Sequence, residues 1–232
     1  MAKKPEILHG TRRIVYDDQH WQVFRDFRDA AEDRMLRLEE GGIRCLVYGS
    51  VARGDVTERS DIDLLIPDRI PSYRIELLVG KGIRRELVQA TPSSVLKGHL
   101  YLDYRTTITF PMFRMMSRER EFYEWGGTID LEQVREGARV PGVDKRLILI
   151  IPTEDGHIER GVVGYEARTA RELNVSIEIA KERVRVLTRR DSVGRTGVYL
   201  THQVPEDSTY EAEAKHLIDR DPALRRTVDK RT

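Results

Sequence analysis

Gly49-Ser50-Val51-Ala52-Arg53-Gly54-Asp55-Val56-Thr57-Glu58-Arg59-Ser60-Asp61-Ile62-Asp63-Leu64-Leu65-Ile66 is the most informative stretch of this 232-residue chain. A Gly-Ser turn follows one apolar run, Ile43–Tyr48, and a second apolar run begins around Asp61 and Asp63. Side chains alternate along a strand, so Asp61 and Asp63 share one face while Ile62 and Leu64 share the other. Two carboxylates on one face repel each other and are costly to desolvate. A hard divalent cation resolves that conflict, and oxygen ligands of this kind suit Mg²⁺ or Mn²⁺ with a phosphate completing the shell. Backbone N–H groups after Gly49, together with the Ser50 hydroxyl, are suited to hold such phosphates.

The stretch resembles the signature of the nucleotidyltransferase superfamily that includes DNA polymerase β, and in particular its small prokaryotic and archaeal members. The matching residues are Gly49-Ser50, Ala52-Arg53-Gly54 and Ser60-Asp61-Ile62-Asp63-Leu64. An Asp-x-Asp alone is weak evidence; the turn, arginine, spacing and flanking apolar runs together are far more specific. The resemblance covers roughly residues 40–110. It implies an α/β (α+β) core, a small mixed sheet flanked by helices, that binds a nucleoside triphosphate through Gly49, Ser50, Arg53 and Ser60. It also implies a third carboxylate on a neighbouring strand. Asp103, in a strand expected over His99–Phe110, is the choice; Glu76 in a helix and Glu86 among arginines compete for the role. Asp61, Asp63 and Asp103 would then be the catalytic and metal-binding residues. They would hold two Mg²⁺ ions (Mn²⁺ as the alternative) ~4 Å apart about an in-line displacement at the α-phosphorus. Arg53 pairs either with a phosphate or, equally well, with Asp55 or Glu58.

Bulk properties bound the rest. The formal net charge is +1, so no global field points to nucleic acid or a membrane. Charged residues make up 34% of the chain, with one asparagine, Asn174, a weak hint of ion-pair networks of the thermophilic kind. The single cysteine, Cys45, excludes an internal disulfide and reads as core. Leu147–Ile151 is too short to span a bilayer, and Met1–Pro5 lacks the apolar stretch of a secretory signal, so a cytoplasmic location is expected.

The organisation expected is a nucleotidyltransferase domain over 1–142, a winged-helix-like unit over 143–204, and a helical tail over 205–232, frayed from Arg225. Trp21, Phe24, Phe27, Ala31, Met35 and Leu38 recur at helical spacing and read as core. Pro141-Gly142 reads as a linker. Helices over Tyr165–Leu173 and Ser176–Leu187, with Gly194–Leu200 as a wing strand, resemble a helix-turn-helix; a helix pair packed on the nucleotidyltransferase sheet, with its arginines solvated, is the equal alternative. Arg168–Arg195 holds eight basic against four acidic residues. Lys181, Arg183, Arg185, Arg189 and Arg190 are therefore the candidates for contacts with RNA or DNA. Two functions follow. One is a transferase moving a nucleoside monophosphate onto a hydroxyl of RNA, protein or a small molecule. The other is a catalytically weak nucleotide sensor that binds nucleic acid through the basic helix pair. Base preference, acceptor and oligomeric state are not legible.

Overall fold

A computed structural model describes residues 4–193 and 197–231. The chain begins β1 (Thr11–Val15), α1 (Asp18–Glu40), β2 (Leu46–Tyr48), α2 (Ser50–Arg53) and β3 (Ile62–Leu65). Next come α3 (Ser72–Val79), β4 (Arg84–Gln89), β5 (Lys97–Tyr101), β6 (Thr106–Pro111) and α4 (Ser117–Gly126). Then follow β7 (Thr128–Ile129), α5 (Leu131–Arg135), β8 (Gly142–Val143), β9 (Ile148–Thr153) and β10 (Gly156–Gly161). The last elements are α6 (Glu166–Glu172), α7 (Ile177–Val193), β11 (Leu200–Gln203), α8 (Tyr210–Arg220) and α9 (Pro222–Asp229). These form two compact units, each discontinuous in sequence: the described parts of 1–29, 47–60 and 120–196, and those of 30–46, 61–119 and 197–232. The divisions at 142 and 204 drawn from the sequence do not coincide with them.

The second unit contains the strand run β11-β4-β5-β6-β3. Its first three pairings are antiparallel and β6–β3 is parallel, which makes the mixed sheet expected. Period-two alternation sorts its side chains. Ile62, Leu64, Leu87, Leu100, Ile108 and Phe110 are all buried. Tyr210 of α8 meets Phe110 edge-on at 4.9 Å between ring centroids. Gly98, opposite Phe110, leaves room for that ring; a Cβ there would lie 2.3 Å from it. Residues paired in register point to the same face, so Asp63, Thr107, Tyr101 and Arg84 form one row across the opposite face. Leu65, Thr109, His99 and Glu86 form the next row.

Two expectations are corrected in this unit. The strand expected over His99–Phe110 is a hairpin, β5 and β6, with Asp103 in the turn between them. The tail does not fray at Arg225, because Asp221-Pro222 starts a helix rather than breaking one. The Asp221 carboxylate accepts the N–H groups of Ala223 and Leu224, and Pro222 opens α9. Leu224 is fully buried, and the Thr227 hydroxyl donates to Pro92 O at 2.8 Å.

In the first unit, β1-β10-β9-β8 form an antiparallel sheet, and β2 pairs with β7. The Pro141-Gly142 stretch read as a linker leads directly into β8. Helices α6 and α7 are joined through Asn174, whose φ of 52° is left-handed. Ala170 and Ala180 from this pair join Trp125, Val143, Leu147, Leu149 and Val162 in one buried cluster. The pair therefore packs on the four-stranded sheet, not on the nucleotidyltransferase sheet expected for a packed pair. The wing expected over Gly194–Leu200 falls partly outside the described residues, at Gly194, Arg195 and Thr196. The strand that follows, β11, pairs with β4 in the other unit's sheet. Among the basic residues of α7, Arg183 lies 4.8 Å over the Phe122 ring. Burial, and then Arg190, lower its pKa. Lys181, Arg185, Arg189 and Arg190 are exposed.

Candidate active site

The turn at Gly49 is built by glycine and held by arginine. Gly49 has φ 80° and ψ −142°, a conformation that only glycine adopts without strain. Its N–H donates to Gly127 O at 2.9 Å, and one helical turn, α2, follows. Arg28, buried in α1, donates to the carbonyls of Val51 at 2.7 Å, Ala52 at 3.3 Å and Ala138 at 2.7 Å. Burial, aided by the charge of Arg139, pushes its pKa down to about 10. Gly54, at φ 100°, ends the turn with the Arg139 side chain 2.6 Å from where a Cβ would stand. His20 Nε2 lies 2.8 Å from Gly54 O. Arg28 and His20 were not singled out in the sequence. Arg28 had a signal: it interrupts the buried stripe of α1 between Phe24 and Ala31.

Arg53 is buried, and its guanidinium grips Asp55 through Nε at 2.9 Å and Nη2 at 3.0 Å. Nη1 donates to Gly126 O at 2.6 Å. The ion-pair alternative for Arg53 is thus the one realised. Ser60 closes a second turn: its hydroxyl accepts the Thr57 N–H at 2.9 Å, and its own N–H donates to Thr57 O. Ser50, the first residue of α2, is partly exposed.

In the other unit, Asp61 is exposed immediately before β3, and Asp63 is half-buried within it. Ile62 and Leu64 are buried on the opposite face, so the alternation read from the sequence is realised. Asp103 is differently placed. In the β5–β6 turn its carboxylate accepts the N–H groups of Arg105 at 2.8 Å and Thr106 at 2.7 Å. Burial raises its pKa, but these hydrogen bonds, the Thr106 side chain and the charge of Arg34 together hold it below the usual range. Of the competitors, Glu76 pairs with Arg85 at 3.0 Å, and Glu86 accepts the Tyr101 hydroxyl at 2.9 Å. Among the described residues, no three His, Cys, Asp or Glu side chains stand together as a cation site. Asp61, just before β3, and Asp63, within it, offer two carboxylates of the kind a hard cation takes. They do not supply the three-carboxylate cluster that two ions call for.

A family model described as a nucleotidyltransferase domain matches residues 29–112, from within α1 to just past β6. Over that span the chain is similar to nucleotidyltransferase domains. No curated protein and no solved structure matches the chain. The nucleotidyltransferase match is consistent with the polymerase β-like superfamily and includes the Gly49-Ser50 turn, Asp61, Asp63 and Asp103. It leaves α6 and α7, with their basic residues, outside the matched span. No helix among the described residues is long and apolar enough to cross a membrane.

Proposed function

We propose that the protein is a metal-dependent nucleotidyltransferase that moves a nucleoside monophosphate from a nucleoside triphosphate onto a hydroxyl of RNA, protein or a small molecule, releasing pyrophosphate. The observation that carries this reading is the carboxylate pair Asp61 and Asp63, out of phase with the buried Ile62 and Leu64 and inside the matched span that also holds the Gly49-Ser50 turn. Asp61 and Asp63 are the residues suited to hold Mg²⁺ or Mn²⁺, which when bound offsets phosphate charge that builds at the reacting centre. The Ser50 hydroxyl is the group suited to a phosphate oxygen, with Gly49 supplying the backbone shape. Arg53 and Ser60 act one step back, Arg53 by bracing α2 through Asp55 and Gly126, Ser60 by closing the turn that leads into Asp61. Asp103 is held in the β5–β6 turn by the two backbone N–H groups that its Oδ1 accepts. The test is transfer of α-labelled nucleoside triphosphates to total RNA and to lysate, with Asp61→Ala and Asp63→Ala as controls. Mg²⁺-dependent labelling abolished by both substitutions is expected; a wild type that binds nucleotide and labels no acceptor refutes the reading.

The exposed basic residues Lys181, Arg185, Arg189 and Arg190 of α7 favour a second reading, in which the domain senses nucleotide and α7 binds nucleic acid. Binding of RNA or DNA that weakens with salt and is lost in Lys181→Glu/Arg185→Glu, without transfer activity, would favour it.

A further inference from the structure

We propose that the carboxylate site of this domain takes a single divalent cation, and that Thr107 occupies the position from which a second would draw its ligand. The inference rests on the nucleotidyltransferase reading and specifies its metal stoichiometry. Strands β3 and β6 are parallel and adjacent, with Asp63 in register with Thr107 and Leu65 with Thr109. Partners in register share a face and stand about 4.8 Å apart across the strands, so the side chain beside Asp63 is the Thr107 hydroxyl. The next residue of β6 on that face is Thr109, which is buried. Thr106–Pro111 contains no carboxylate at all. A threonine hydroxyl is neutral and cannot offset the charge of a second divalent ion as a carboxylate does.

The next carboxylate on the same face is Glu86 on β4, beyond β6 and β5. Three strand spacings, about 14 Å, separate those strands, whereas oxygen ligands lie within about 2.6 Å of their ion. Glu86 is moreover engaged by the Tyr101 hydroxyl, and the Arg84 guanidinium lies 3.9 Å over the Tyr101 ring. Asp103 precedes β6 in a turn that its own carboxylate closes. That turn is tied to the start of β3 by the 2.8 Å Ile62 N–H to Arg105 O hydrogen bond, and among the described residues Asp103 does not stand with Asp61 and Asp63 as a three-carboxylate group. Thr107, the residue of β6 in register with Asp63, therefore cannot complete a second cation site as a carboxylate would.

Equilibrium dialysis of the full chain with Mn²⁺ and a labelled non-hydrolysable nucleoside triphosphate analogue tests this by counting both per chain. The wild type should retain one Mn²⁺ for each nucleotide, and Asp103→Asn should leave that ratio unchanged. Asp63→Asn should lower Mn²⁺ retention at least tenfold. Thr107→Asp should raise the ratio to two. A wild-type ratio of two that falls to one in Asp103→Asn overturns the inference while leaving the nucleotidyltransferase reading intact. Absence of any retained nucleotide, with or without Mn²⁺, overturns both. If Thr107→Asp does not fold, the wild-type and Asp103→Asn ratios decide the matter alone.

Discussion

Removing either partner of the Arg53–Asp55 pair should destabilise the protein, whereas removing both should cost no more than removing one. The side chains are 6% and 9% exposed, and the guanidinium holds both carboxylate oxygens, at 2.9 and 3.0 Å. Asp55→Ala leaves a buried guanidinium that still donates to Gly126 O but has lost its anion. Stranding one charge of a buried pair costs about 3–5 kcal/mol, so the folding equilibrium should drop by a factor of about 10²–10³ or more. Arg53→Met strands the Asp55 carboxylate at similar cost. The double variant removes both charges, and its coupling energy should be roughly 3–5 kcal/mol. Urea unfolding followed by circular dichroism measures this as shifts in midpoint at constant slope. Nucleotide affinity, read at a urea concentration where all variants are folded, should then fall alike in the two single variants. Additive costs, with affinity lost in Arg53→Met but kept in Asp55→Ala, would show instead that Arg53 serves the phosphates directly.

Other perturbations follow from single residues. Burial, then the charges of Lys97 and Arg84, hold the His99 pKa down at about 4, and its Nε2 is buried without a partner among the described residues. The unfolded imidazole takes its proton near pH 6.5 and the folded one does not, so stability is complete above about pH 6.5. It should drain away by about 3 kcal/mol as the pH falls from there toward 4, and His99→Gln should flatten that slope in pH-dependent denaturation. Gly98→Ala should cost about 1–3 kcal/mol, because its Cβ would lie 2.3 Å from the Phe110 ring, and Phe110→Leu in the same chain should restore part of it. At Gly49 a Cβ meets nothing within 4 Å, so Gly49→Ala carries only backbone strain, about 1–3 kcal/mol by thermal or urea unfolding.

The core of the carboxylate strand was legible because its cause is local. Ile62 and Leu64 must be buried and Asp63 cannot be, and a period of two records that requirement in four residues. The stripe of α1 was legible for the same reason, with Phe24, Phe27, Ala31, Met35 and Leu38 all buried. Strands β1 and β11 were not. Thr11-Arg12-Arg13-Ile14-Val15 looks like a solvated segment until Glu159, from the paired strand β10, meets Arg12. Glu159 also lies 2.5 Å from Arg146 and is itself 4% exposed, so three residues far apart in sequence account for one another. Nor could periodicity reveal interleaved units, since it carries no record of which distant segment covers a face.

Asp103 and Arg53 each find partners within a few residues of themselves. An acid inside an aromatic and aliphatic run calls for a reason, and ligation of a metal was the reason given. A turn supplies another: aspartate takes the N–H groups two and three residues on, and Asp103 does so at Arg105 and Thr106. Asp221 repeats this at Ala223 and Leu224, where Asp-Pro marks a helix start rather than a stop. Arg53, likewise, finds its anion two residues away. A charged residue flanking a motif has first to be tested against the backbone and the charges within about four residues of it. Asp61 and Asp63 are read as a pair because the alternation that buries Ile62 and Leu64 places both on the other face. The proposed chemistry therefore starts from that alternation and not from any residue placed beside it by spacing alone.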